Sequence, residues 1–200
     1  MTRREELEND PEVKEAIRCM QSGKPFYALS PKMYALRAEV KKLLRRLNIT
    51  DYYTDSMEDV LHEILPNCAR SIHVEPPFYC DYGKYIYADE GVFINFGCII
   101  LDGGGVHIGK NTLIAPGVHI YSAHHPLNAD DRDEWEVSTP VKIGERCWIG
   151  GDVTICPGVT IGDRCVIGAG SVVVKDIPDD SLAVGNPAKV IRKLNQEKKQ

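Results

Sequence analysis

The sequence predicts a mainly β chain, built as a stack of short strands with an α-helical segment in front. Three observations carry that expectation. In "IGERCWIGGDVTICPGVTIGDRCVIGAGSVV" an aliphatic residue returns at every sixth position: Ile143, Ile149, Ile155, Ile161, Ile167 and Val173. Gly144, Gly150, Gly162 and Gly168 follow four of them directly. Before residue 66, by contrast, apolar residues recur at helical spacing.

The helical segment comes first. Asp10-Pro11-Glu12 reads as an N-cap, a proline in the first turn and an acidic start. Val13, Ala16, Ile17 and Met20 follow at helical spacing, and Gly23 supplies a stop. Ser30-Pro31 repeats the start signal ahead of a stripe made by Met33, Leu36, Val40, Leu43, Leu44 and Leu47. The basic run "KKLLRR" at 41–46 lies across that helix from its apolar stripe and predicts a solvated face. Ser56 with Asp59 opens a third helix through Val60, Leu61, Ile64 and Leu65, ending before Pro66. Three helices of this size bury too little to stand alone, so they are expected to pack on the repeat region of the chain.

The repeat extends backwards from Ile143. After a break come Ile120, Ile114 and Ile108, then a two-residue slip, then Ile100 and Ile94. A period of six fits short strands, each ended by a corner, so that every sixth side chain points at one axis. Asn111, Pro116-Gly117, Pro157-Gly158 and Asp163 stand where corners are needed. Stacked units of this kind bury a continuous column. The organisation expected is a helical cap over 1–66, a repeat domain over 67–194 with an excursion at about 122–140, and a frayed tail over 195–200.

Composition limits the function. A formal charge of −5 over 200 residues argues against nucleic acid or another polyanion as partner. The absence of a long apolar run argues against a membrane, and the expected location is the cytoplasm. Seven cysteines without a CxxC pair fit a reducing compartment. Cys147 and Cys165 recur at one repeat position and read as packed thiols.

The break in the repeat is where chemistry is expected. Ile120 and Ile143 lie 23 positions apart, and the segment between them opens on His124-His125-Pro126. Solenoids place sites in such excursions. A neutral imidazole can take a proton from a hydroxyl, so the pair offers a general base; a plain surface pair is the other reading.

Five stretches carry a resemblance: "VEPPFYCDYGKYI", "INFGCIILD", "LIAPGVHIYSAHHP", "CWIGGDVTICPGVTIGD" and "VGNPAKVIRKL". Together they resemble the hexapeptide-repeat acyltransferases, in the branch of the maltose and galactoside O-acetyltransferases, from about residue 13 to 194. The resemblance implies a left-handed parallel β-helix with three hexads per coil, so that Ile143 stacks on Ile161 and Ile149 on Ile167. It implies a homotrimer that moves acetyl from acetyl-CoA to a hydroxyl of a small carbohydrate, without a metal. His125, directly before the proline, matches the catalytic base. Asn95 matches the amide that meets the developing oxyanion and the acetyl group; read by itself it is a corner asparagine. Asp81 and Asp102 match acceptor-side positions. Gly103 and Ala28 stand where the galactoside branch carries carboxylates. Gly151, Ala169, Val174, Lys175, Lys189 and Arg192 match the coenzyme groove. Two rivals share the scaffold: a γ-class carbonic anhydrase-like metalloenzyme, which needs three histidines from two subunits and for which His119 and His124 have a compatible spacing with His107 near, and a non-catalytic assembly protein.

Overall fold

The computed structural model describes residues 1–49 and 55–194. Four helices open the chain: α1 (Arg3–Asn9), α2 (Pro11–Gln21), α3 (Pro31–Ile49) and α4 (Asp55–Ile64). The caps read from sequence are present. Asp10 accepts from the Glu12 N–H at 3.0 Å, and the Ser30 hydroxyl accepts from that of Met33 at 3.3 Å. The short first helix is an addition to the sequence expectation, closed by a capping box between Thr2 and Glu5. The fourth begins at Asp55; the side chain of Ser56 lies outside the described residues, as does the expected tail.

The remainder is a left-handed parallel β-helix with three faces. The first face stacks His73–Val74, Phe93–Ile94, Leu113–Ile114, Trp148–Ile149, Val166–Ile167 and Ser181–Val184, and closes with an antiparallel Lys189–Lys193. The second runs from Tyr79–Cys80 through Ile99–Leu101, His119–Tyr121 and Thr154–Ile155 to Val172–Val173. The third stacks Ile86–Ala88, Val106–Ile108, Val141–Ile143 and Thr160–Ile161.

The repeat register is met in full. Ile143 pairs with Ile161, and Ile149 with both Ile114 and Ile167. These isoleucines are 3% exposed or less. Each such side chain contributes about 1.5–3 kcal/mol of burial, and the column sums it coil after coil. The glycine after the aliphatic residue has a steric cause: a Cβ at Gly150 would stand 2.6 Å from the Ala169 nitrogen on the next coil. Cys147 and Cys165 are packed in the column, their thiols directed at the carbonyls of Gly162 and Pro178. The neighbouring Cys165 and burial push the Cys147 thiol well above its usual range, so it stays protonated.

Corners fall mostly where expected, with one displacement. Asn111, Gly117 and Gly158 take positive φ, but at the Asp163 corner that conformation belongs to Arg164. Asp163 instead caps the coil below it, its Oδ1 accepting from the Glu145 N–H at 2.9 Å. Among the described residues, no helix is long and apolar enough to cross a membrane.

The helical segment divides its apolar residues between two cores. Val40, Leu43, Leu44, Leu47 and the apolar side of α4 join the β-helix column. Val13, Met20, Met33 and Leu36 form a second cluster with Phe26, Tyr82 and Tyr85 beside the first coils. That second cluster abuts the corner from which the excursion leaves.

Candidate active site

The excursion is an antiparallel arm. Its outgoing strand, Ala123–His124, pairs with the return strand, Val137–Ser138, and a short helix α5 (Ala129–Arg132) caps the tip. The two histidines at its root differ sharply. His124 is half-buried, with Nε2 at 3.0 Å from the Thr139 hydroxyl and Nδ1 turned toward the His125 carbonyl. His125 is exposed, and its Nδ1 lies 3.2 Å from the backbone carbonyl of Trp135. A carbonyl can only accept, so Nδ1 carries the proton and Nε2 keeps its lone pair. One imidazole is engaged at both nitrogens, and the other, on an exposed residue, is engaged at Nδ1.

The corner between the second and third faces gathers more groups. Asp81 follows the strand Tyr79–Cys80 and is partly exposed; burial raises its carboxyl above the ordinary range, against the pull of Arg37 and Lys41. Arg37, from α3, donates to the Tyr82 hydroxyl at 3.0 Å and to the Ala28 carbonyl at 2.8 Å. Glu136 is half-buried on the return arm; burial and then the charge of Asp81 raise its carboxyl, while Arg37 and His125 act in the opposite sense. Asp81, Arg37, Glu136 and His125 therefore form one electrostatic neighbourhood. Arg37, Trp135 and Glu136 carry no signal in the sequence, since no spacing rule ties an α3 side chain to an excursion backbone.

Asp102 requires a correction. The resemblance places it facing an acceptor, yet it has no exposed surface. Its Oδ1 accepts from the N–H groups of Asp81 and Tyr82 at 3.2 and 2.9 Å, and its Oδ2 from that of Tyr85 at 3.1 Å. The carboxylate shapes the turn that presents Asp81 and has no free edge for a ligand. Burial raises its pKa from 3.8 to about 6, opposed by those backbone donors.

Asn95 belongs to a different corner. It follows Phe93–Ile94 on the first face, in the ladder that continues through Ala115 and Gly150. Its φ is not positive, so the turn does not require an asparagine. Its side-chain oxygen accepts from the Phe96 N–H at 2.9 Å, which leaves the amide NH₂ for another acceptor. Gly151 and Ala169 lie on this same corner, one residue further along successive coils. Val174 and Lys175 lie on the histidine corner, both exposed. Lys189 and Arg192 are exposed on the last strand. Within one chain, then, the predicted residues fall at two corners of the prism, and Asn95 does not meet His125.

Within one chain the three histidines of the metal alternative each have a different partner. His107 stacks flat on Tyr87 with ring centroids 4.6 Å apart, His119 lies 3.0 Å from the Tyr121 hydroxyl, and His124 is held by Thr139. Among the described residues no group of three His, Cys, Asp or Glu side chains could hold a metal ion.

The coiled scaffold with its excursion has the architecture of the hexapeptide class, and comparison with known proteins gives the activity of that class as acetyl transfer. Residues 140–175 match the family model described as bacterial transferase hexapeptide (six repeats). The chain is 44% identical over 169 residues to "Putative acetyltransferase YJL218W" of Saccharomyces cerevisiae, covering 84% of this chain and 86% of that protein. The crystal structure of a maltose O-acetyltransferase from Clostridium difficile superposes with a TM-score of 0.87 at 45% identity, over 90% of this chain and 98% of that one. A galactoside acetyltransferase in complex with coenzyme A gives a TM-score of 0.83 at 36% identity, over 90% and 91% of the two chains. The chain belongs to the hexapeptide-repeat acetyltransferases.

Proposed function

We propose that this acetyltransferase moves the acetyl group of acetyl-CoA to a hydroxyl of a small sugar, with His125 as general base. One observation carries the reading: His125 is exposed and holds its proton on Nδ1 against the Trp135 carbonyl, which leaves the lone pair on Nε2. The acceptor hydroxyl gives its proton to Nε2 as its oxygen bonds to the thioester carbonyl carbon. The C–S bond then breaks, and the imidazolium returns the proton to the departing thiolate. The carbonyl oxygen, negative in between, needs a donor, and the free amide of Asn95 is suited to that part.

Because Asn95 and His125 stand at different corners of one chain, the site is completed between subunits. His125 of one protomer works with Asn95 of the partner subunit, in the homotrimer that the resemblance implies. The pantetheine arm lies along the small corners at Gly151 and Ala169, and Val174 packs beside it. Lys175, Lys189 and Arg192, all exposed cations, face the phosphates. Asp81 takes sugar hydroxyls, supported by its partial exposure beside Arg37. The sugar class is favoured by the maltose and galactoside enzymes among the relatives.

A panel of mono- and disaccharides, read by thiol release from acetyl-CoA, tests the reading. A hydroxyl-dependent release with a maltose- or galactoside-like acceptor is expected. Release only with amines, or with no sugar at all, overturns it.

A further inference from the structure

The carbonyl that holds His125 is itself held. A trans peptide unit is planar, and its C=O and N–H point in opposite directions. The unit joining Trp135 to Glu136 therefore works as a two-ended strut. Its C=O accepts from His125 Nδ1 at 3.2 Å, and its N–H donates to the Phe26 carbonyl at 3.0 Å. Phe26 returns the contact, its own N–H donating to the Glu136 carbonyl at 3.0 Å. The two residues form an isolated antiparallel pair between the N-terminal segment and the arm. Pairing inside the arm starts only at Val137, so nothing in the arm's own ladder fixes the orientation of residue 135. The Trp135 N–H is occupied by the Asp131 carbonyl at 3.1 Å, which closes the other side.

Phe26 can serve as an anchor because it is immobilised. Its side chain is 2% exposed, packed in the second core with Met20 and Met33. The segment around it is tied down again at Ala28, whose carbonyl receives Arg37.

We infer that the Phe26–Glu136 backbone pair is a positioning device for His125: it aims the Trp135 carbonyl that decides which imidazole nitrogen is free to take a proton. The helical segment is thereby part of the catalytic apparatus as well as a cap on the coil stack. The inference rests on the reading of His125 as the base. Phe26 bonds the Trp135–Glu136 peptide, so it acts on His125 through that peptide as a positioning residue.

The experiment uses the full-length protein labelled with ¹⁵N-histidine. Imidazole nitrogen shifts report the His125 tautomer, and steady-state kinetics separate turnover from the Michaelis constant. In the native protein the Nδ1–H form is expected. Phe26→Ala should mix the two tautomers and lower kcat by about tenfold to a hundredfold, the scale of an ångström-sized misplacement. The Michaelis constant for acetyl-CoA should be unchanged, and Phe26→Leu, which keeps an apolar anchor, should restore kcat. A folded Phe26→Ala protein with native tautomer and native kcat overturns the inference. Should Phe26→Ala fail to fold, Glu136→Pro deletes the N–H donated to Phe26 while leaving the buried core untouched. The same two readouts then decide. If His125→Ala itself keeps full turnover, the base assignment falls, and the tautomer measurement still judges the positioning claim.

Discussion

The coils and the excursion are built on opposite rules. In the column, each inward side chain meets the same kind of residue one coil on, as Ile149 meets Ile114 and Ile167. In the excursion nothing repeats. His125, Trp135, Glu136 and Thr139 are each held by a partner that occurs once. Burial is additive and tolerant of direction, so it suits a scaffold. Hydrogen bonds are directional, so they suit an imidazole that must present one nitrogen and protect the other. Substitutions in the column should therefore change stability, and substitutions in the arm should change turnover.

The largest effects test that division directly. His125→Ala should lower kcat by ~10²–10⁴-fold, the usual range for a general base, with the melting temperature nearly native. His124→Ala should be milder, since that ring is engaged with Thr139 rather than turned outward. Ile149→Ala is the mirror experiment. It should cost roughly 2–5 kcal/mol of stability through the cavity it leaves, with turnover per folded molecule preserved. Chemical denaturation alongside active-site titration distinguishes the two. If Ile149→Ala lost turnover while staying stable, column and arm would not be separable.

A smaller effect lies at the junction of the two regions. Asp102 titrates at about 6 in the fold and 3.8 ordinarily, because burial disfavours its charge. The folded state thus holds this proton more tightly than the unfolded chain. The group's contribution is intact below pH 3.8 and is lost as pH rises through 6. The Asp81 carboxyl, also raised by burial, adds to the same slope. Asp102→Asn cannot ionise, so its stability relative to the native protein should improve by up to about 3 kcal/mol between pH 4 and pH 7. Urea unfolding of both proteins across that range measures it. A difference that does not move with pH would mean that Asp102 is not buried as a carboxylate.

Legibility in the sequence obeys the same division. Periodicity gave the aliphatic column and local spacing the caps at Asp10 and Ser30, while the three hexads per coil and the Ile143–Ile161 stack came from the resemblance. The His124-His125 pair was legible as the opening of the interruption, and the resemblance alone singled out His125 within it. The role of Asp102 was not. A turn carboxylate reads as solvated until the preceding coil is seen to direct three backbone N–H groups at it. The Trp135 carbonyl left no trace either, since a backbone acceptor has no residue signature. Arg37 follows Leu36 on a helix whose sequence announces only its buried stripe. Its placement near Asp81 and Glu136 depends on how α3 docks, which is a non-local fact.

The smallest expected effect on catalysis sits furthest from the arm. Lys189 and Arg192 extend from the terminal antiparallel strand, Arg192 registered opposite Leu182, and both are exposed. Neither belongs to the column or to the hydrogen-bond system of His125, so neither should affect stability or the chemical step. In the groove proposed for acetyl-CoA they meet its phosphates, and contacts made equally before and at the transition state lower the Michaelis constant without raising turnover. Arg192→Ala should weaken acetyl-CoA binding while saturated kcat stays native. Added salt should weaken native binding by the same route, because exposed cation–phosphate pairs are screened. An acetyl-pantetheine donor, which lacks the nucleotide, should be used equally well by both proteins. If Arg192→Ala slows both donors alike, the residue supports the fold or the chemistry instead. If it leaves acetyl-CoA affinity unchanged, the phosphates lie elsewhere on the groove.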